Sequence, residues 1–136
     1  MKPVNTRSGS LLIVDDNEAL TQFSAWEFED LGYRVNRAAN CRQARRLAQA
    51  TRFDFALVDY HLPDGNGRAL SHLLKRRLPR LQLVMMSADR AGATARGIDP
   101  AVMCTFVEKP VPTARLHRLF SISNKPTRGE ASPGAY

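Results

Sequence analysis

The chain is poor in the features that mark several protein classes. It has only two cysteines, Cys41 and Cys104, and they form no CxxC pair. With no export signal beside them, they read as reduced thiols of a cytoplasmic protein. The start, Met1-Lys2-Pro3-Val4-Asn5-Thr6-Arg7, lacks the apolar core of a signal peptide. No apolar run approaches the length needed to span a bilayer, so no membrane role is expected. Aromatic residues are scarce at 7%, and none interleaves with the basic clusters as a base-stacking platform requires. His61, His72 and His117 do not have metal-ligand spacing. No internal repeat is present.

What remains is the composition of one soluble domain. The chain has 136 residues, 43% hydrophobic and 24% charged, enough to bury a core. Residues 1–9 read as a polar lead-in, 10–122 as the domain, and 123–136 as a disordered tail rich in Pro, Gly and Ser. Net charge is +7. The basic residues look spread along the chain, in groups at Arg42, Arg45 and Arg46, at Lys75, Arg76 and Arg77, and at Arg115 and Arg118. Solvated helix faces are the favoured reading. A basic face for an acidic partner protein comes second and direct nucleic-acid binding third.

Short apolar runs alternate with helical patterns. The runs Leu11–Val14, Tyr33–Ala38, Phe55–Asp59, Leu81–Met86 and Cys104–Val107 read as strands. Helices are expected from about Glu18 to Leu31, with Leu20, Phe23, Phe28 and Leu31 inward, and from a capping box at Asn40 and Gln43 through Ala50. Two more are expected over about Arg68–Leu78 and from near Pro112, the latter carrying Leu116, Leu119 and Phe120. Trp26 falls off the first helix's stripe and reads as a surface aromatic. Five alternations imply a parallel sheet covered on both faces, with right-handed crossovers. Residues 89–103 are the weak stretch. Gly92 and Gly97 each cost a helix interior about 1 kcal/mol relative to alanine, and Pro100 stops one. Any helix there should be short or broken, and it should respond to the state of the site.

Polar residues punctuate the strand ends. Asp15 and Asp16 close the first run, Asp59 the third, Ser87 follows the fourth, and Lys109-Pro110 follows the fifth. In an open α/β sheet, ligands bind at the carboxyl edge of the strands. Three carboxylates brought together repel, so a hard cation must offset them, and Mg²⁺ suits oxygen ligands. A carboxylate attacking a phosphoryl group also needs cations against the charge building on the phosphoryl oxygens. Taken alone, Asp15-Asp16 could cap the first helix and Lys109 could be a surface lysine. The ordered set is what points to one site.

That set, with the loop Asp59-Tyr60-His61-Leu62-Pro63-Asp64-Gly65-Asn66-Gly67, resembles the receiver domain of two-component response regulators. Leu62 stands where that pattern usually has Met. The resemblance implies an α/β, flavodoxin-like, doubly wound five-stranded parallel sheet of strand order 2-1-3-4-5. It implies Asp59 as phosphoryl acceptor, and Mg²⁺ held by Asp15, Asp16, Asp59 and the backbone carbonyl of His61. Ser87 and Lys109 would contact the phosphoryl oxygens. Ser87 and Phe106 would be the switch pair, and a cis Lys109–Pro110 peptide would aim the lysine. His61 and Asp89, each two residues beyond a site residue, would tune the dephosphorylation rate.

The implied function is a phosphorylation-dependent signalling switch. A sensor histidine kinase or phosphotransfer protein would be the donor. An output protein would read the face made by the fourth helix, fifth strand and fifth helix, and a homodimer is compatible with this. The chain would catalyse only its own phosphorylation and dephosphorylation. A stand-alone receiver is the expectation, with a piece of a DNA-binding or hybrid-kinase regulator as the alternative. A haloacid-dehalogenase-like phosphohydrolase would want an aspartate where His61 stands. A constitutive interaction module would not need the intact acidic set.

Overall fold

Along each strand, successive side chains point to opposite faces of the sheet, and here both faces are buried. The computed structural model describes residues 9–88, 98–99 and 104–120, of which residues 98, 99 and 104 are described by backbone alone. Strands β1 (Gly9–Val14), β2 (Tyr33–Ala38), β3 (Phe55–Asp59), β6 (Gln82–Ser87) and β8 (Cys104–Glu108) form the parallel sheet. Their order is β2-β1-β3-β6-β8, the doubly wound order expected. Two further short strands, β4 (His61–Leu62) and β5 (Gly65–Asn66), make an antiparallel hairpin within the loop after Asp59.

Helices α2 (Cys41–Ala50) and α3 (Gly67–Arg77) cover one face. There Ala44, Ala48, Leu70 and Leu74 pack on Leu12, Val14, Ala56, Val58 and Met85. Helices α1 (Glu18–Asp30) and α4 (113–120) cover the other. There Phe28, Leu116 and Phe120 pack on Leu11, Ile13, Leu57 and Val84. Near-continuous apolar strands follow directly from burial on both sides.

Two expectations need correction. A sixth strand, β7 (Ile98–Asp99), pairs antiparallel with β8 at the sheet edge. It falls inside the span expected to hold a weak helix, where Pro and Gly disfavour helix but allow a short extended pairing. The rest of residues 89–103, including Asp89, lies outside the described residues.

The second correction concerns α1. Its inward residues are Thr21, Ala25 and Phe28; of the expected stripe only Phe28 is buried. Leu20 and Leu31 are each 40% exposed and Phe23 is 55% exposed, and Trp26 stands at 61% as a surface aromatic should. Small Thr21 and Ala25 let the helix lie close to the sheet. Phe28 is then the large side chain that α1 contributes to this face, edge-on to Tyr33 with ring centroids 5.0 Å apart. Size complementarity, rather than the count of apolar residues, set the buried face.

Candidate acidic site at the sheet edge

The site is built from the carboxyl ends of three strands. β1 delivers Asp15, whose N–H donates to the Ala38 carbonyl of β2 at 3.0 Å. Its Oδ1 accepts the Asn17 N–H at 3.0 Å, so the carboxylate is held from two sides and is only 3% exposed. Asn17, not the aspartate pair, caps α1, accepting the Leu20 N–H at 3.0 Å. The capping reading of Asp15-Asp16 therefore fails, and Asp16 stands exposed beside its buried neighbour.

β3 ends on Asp59, which is 6% exposed. Its Oδ1 accepts the His61 N–H at 3.2 Å. The chain then turns through the β4–β5 hairpin and returns so that Gly67 N–H donates to the Tyr60 carbonyl at 2.6 Å. A side chain at Gly67 would collide with the Asp59 carbonyl and the Tyr60 Cα. Glycine lets α3 begin directly against the end of β3, a close approach that excludes a Cβ.

Lys109 follows β8 and crosses the edge to both acids. Its Nζ lies 2.8 Å from Asp15 Oδ2 and 3.2 Å from Asp59 Oδ2. The Lys109 N–H donates to the Ser87 carbonyl at 2.9 Å, and the Lys109–Pro110 peptide is cis. Burial works against the ammonium charge, but the hydrogen bond and charge of Asp15, then those of Asp59, together hold its pKa above the ordinary lysine value. Asp59 goes the other way from a simple ion pair. Burial raises its pKa first of all, and the neighbouring Asp15 charge adds to the rise. The His61 N–H and Lys109 oppose without cancelling. Burial keeps Asp59 high, and the one ammonium, shared with Asp15, does not offset it.

Carboxylate oxygens of Asp15, Asp16 and Asp59 all lie within 4.8 Å of one another. This donor set is oxygen-only and acidic, which fits a hard divalent cation. Ser87 is fully buried at the end of β6, one residue past the partner of Asp59 in the strand register. Phe106 lies on β8 with 8% exposure, its ring 6.0 Å from that of Tyr60. His61 is exposed at the mouth, its ring 5.1 Å from Tyr60. The edge therefore brings Asp15, Asp16, Asp59 and Lys109 together, while Asp89 is beyond the described residues.

Reading by residue type alone missed Asp64. Its carboxylate accepts the N–H groups of Cys41 and Arg42 at 2.8 and 3.0 Å, so it reaches from the β4–β5 turn to the first turn of α2. Those bonds hold its pKa below the ordinary carboxylate range, the Cys41 N–H foremost. Burial, then the Asp64 carboxylate, push the Cys41 thiol up to about 11, so it is an inert thiol.

A doubly wound α/β domain with acids and a lysine converging at the carboxyl edge is the class defined by this fold and edge. The chain belongs to the response regulator receiver domain family, whose pattern matches residues 11–121. Relatives include the photosynthetic apparatus regulatory protein RegA of Cereibacter sphaeroides, 32% identical over 74% of this chain and 55% of its own length. The response regulator protein PilR of Pseudomonas aeruginosa is 30% identical over 88% of this chain and 27% of its own. The chain thus spans between a quarter and about half of these relatives. A CheY-like receiver domain structure from Methanospirillum hungatei is 26% identical, covers 91% of this chain and 98% of its own, and superposes with a TM-score of 0.76. A Burkholderia pseudomallei response regulator, described with a phosphorylated aspartic acid and a calcium ion, is 26% identical with a TM-score of 0.75, covering 93% of this chain and 75% of its own. Among the described residues, no helix is long and apolar enough to cross a membrane.

Proposed function

We propose that Asp59 accepts a phosphoryl group from a histidine kinase or phosphotransfer protein, and that the chain is a phosphorylation-dependent switch. The observation carrying this is the single ammonium of Lys109 set between Asp15 and Asp59, with Asp16 beside them. Mg²⁺ bound by Asp15, Asp16 and Asp59, with the His61 carbonyl as a further ligand, would supply positive charge against the phosphoryl oxygens. Lys109 supplies a second cation there, and the Ser87 hydroxyl a hydrogen bond. The Burkholderia relative supports the chemistry, since it is described with both a phosphorylated aspartic acid and a divalent ion. His61, exposed beside the site, tunes the lifetime of the phosphorylated state. Output passes to a protein that reads β8 and its flanking segments. No other enzymatic activity is assigned.

The test is incubation with acetyl phosphate and Mg²⁺ followed by intact-mass measurement. One added phosphoryl group is expected, absent with EDTA and absent in Asp59→Asn. An EDTA-insensitive adduct in that variant would refute the proposal.

A donor protein must bring its imidazole to the strand edge, so it must cover what borders that edge. α1 starts two residues after Asp16 and exposes Leu20, Phe23 and Trp26. These are the apolar anchors such a protein would bury. Phe23→Asp should slow transfer from the cognate donor by about 30-fold, a hot-spot loss, with acetyl phosphate labelling unchanged. An equal loss with both donors would place the defect in the site, not in docking.

A further inference from the structure

We infer that the cleft between α2 and α3 is a binding site for an oligophosphate, a short chain of linked phosphate groups. Two basic groups that look separate in sequence meet there. Arg42, Arg45 and Arg46 of α2 face Arg76 and Arg77 of α3 across a groove of about 600 Å³, and five of its seven lining residues are arginine. Residues 34–80 hold eleven of the twenty basic side chains and three of the thirteen carboxylates. This stretch therefore carries +8, against +7 for the whole chain. Five of those eleven basic side chains line this one groove.

The chemistry narrows the occupant. Among the described residues, no carboxylate is paired with Arg42, Arg45, Arg46 or Arg76. Only Arg77 is spent internally, its Nε donating to the Ala48 carbonyl at 3.2 Å and tying the two walls together. Guanidinium forks match phosphate oxygens two at a time, which an ammonium cannot do. Leu73 is the only apolar lining residue, and no aromatic lines the groove. A base would find no aromatic ring to stack on, whereas five guanidinium groups answer phosphate oxygens, so recognition centres on the phosphates. A groove of about 600 Å³ admits a short chain of phosphates, whereas a nucleic-acid duplex is too large to enter it and can only lie across its rim.

The site is separate from the acidic edge and does not rest on phosphorylation of Asp59. The test uses the full chain in metal-free buffer at 0.15 M salt, with tripolyphosphate as probe and calorimetry as readout. Saturable binding at one site per chain is expected, with sulfate at matched ionic strength failing to compete. Arg45→Gln and Arg76→Gln, one from each wall, should each weaken binding about tenfold. The double variant should lose it, with labelling by acetyl phosphate unchanged. Arg118→Gln, an exposed arginine on α4, should bind as wild type. Charge-keeping Arg45→Lys should fall between wild type and Arg45→Gln. Absence of binding in the wild type would overturn the proposal, as would an equal loss in Arg118→Gln, which would mean unspecific charge attraction. A 20-base-pair duplex that binds the face and that tripolyphosphate cannot displace would also overturn it, in favour of nucleic acid.

Discussion

Lys109→Met should lower acetyl phosphate labelling at least about 100-fold, the loss typical when one donor to a developing anion is removed. It should also destabilise the fold in metal-free buffer. Asp15 and Asp59 share that one ammonium at 2.8 and 3.2 Å and are themselves almost fully buried. Without it, two carboxylates face each other in a poorly solvated edge. Breaking a buried pair costs several kcal/mol, but Lys109 is itself 19% exposed, so the loss should be nearer ~2 kcal/mol. The two effects separate under Mg²⁺. A divalent ion can replace the charge between the acids and restore the melting temperature, but it cannot replace the lysine at the phosphoryl oxygens. Melting curves with EDTA and with Mg²⁺, read beside the labelling rate, check this. A variant as stable as wild type in EDTA would show that the shared ammonium does not offset the acids.

Asp59→Asn should abolish labelling and, at neutral pH without metal, raise the melting temperature. The sign follows from the raised pKa of Asp59. Between the ordinary carboxylate value of 3.8 and that raised value, the folded chain holds a proton that the unfolded chain has lost. Stability therefore falls as pH rises through that window, and the cost is fully present above it. The amide has no charge to desolvate and escapes the cost. The gap between variant and wild type should close as pH drops below the window, where both carry a neutral side chain. Melts at acid and neutral pH in EDTA would decide it; a gap unchanged by pH would count against it.

Much of this was legible because the strands announce themselves. Leu11–Val14 and Phe55–Val58 are apolar throughout, as burial on both faces demands, and the aspartates mark where they end. Asn40 with Gln43 also read correctly as a helix start, the Asn40 side chain accepting the Gln43 N–H at 2.8 Å. The orientation of α1 was hidden, since periodicity counts apolar residues and cannot see that Thr21 and Ala25 fit closer to a sheet than Leu20 or Phe23. The hairpin after Asp59 read as a loop because two-residue strands have no period. The arginine groove was hidden for another reason. α2 and α3 are separated in sequence by all of β3 and its loop, and only the shared face of the sheet makes them neighbours.

Asp64 ties these parts together in one respect. It sits five residues after Asp59, yet its carboxylate holds the first turn of α2 through Cys41 and Arg42, while Gly67 seats α3 on the Asp59 carbonyl. Both walls of the arginine cleft are therefore hung from the peptide that leaves the acidic edge. Any rearrangement there that breaks the Asp64 joint also changes the spacing of the walls. If Asp59 takes a phosphoryl group and the cleft an oligophosphate, as proposed, the two equilibria would share the Asp64 hydrogen bonds as a hinge. By thermodynamic reciprocity, whatever free energy the first spends on that hinge is returned, equal in size, as a change in affinity at the second.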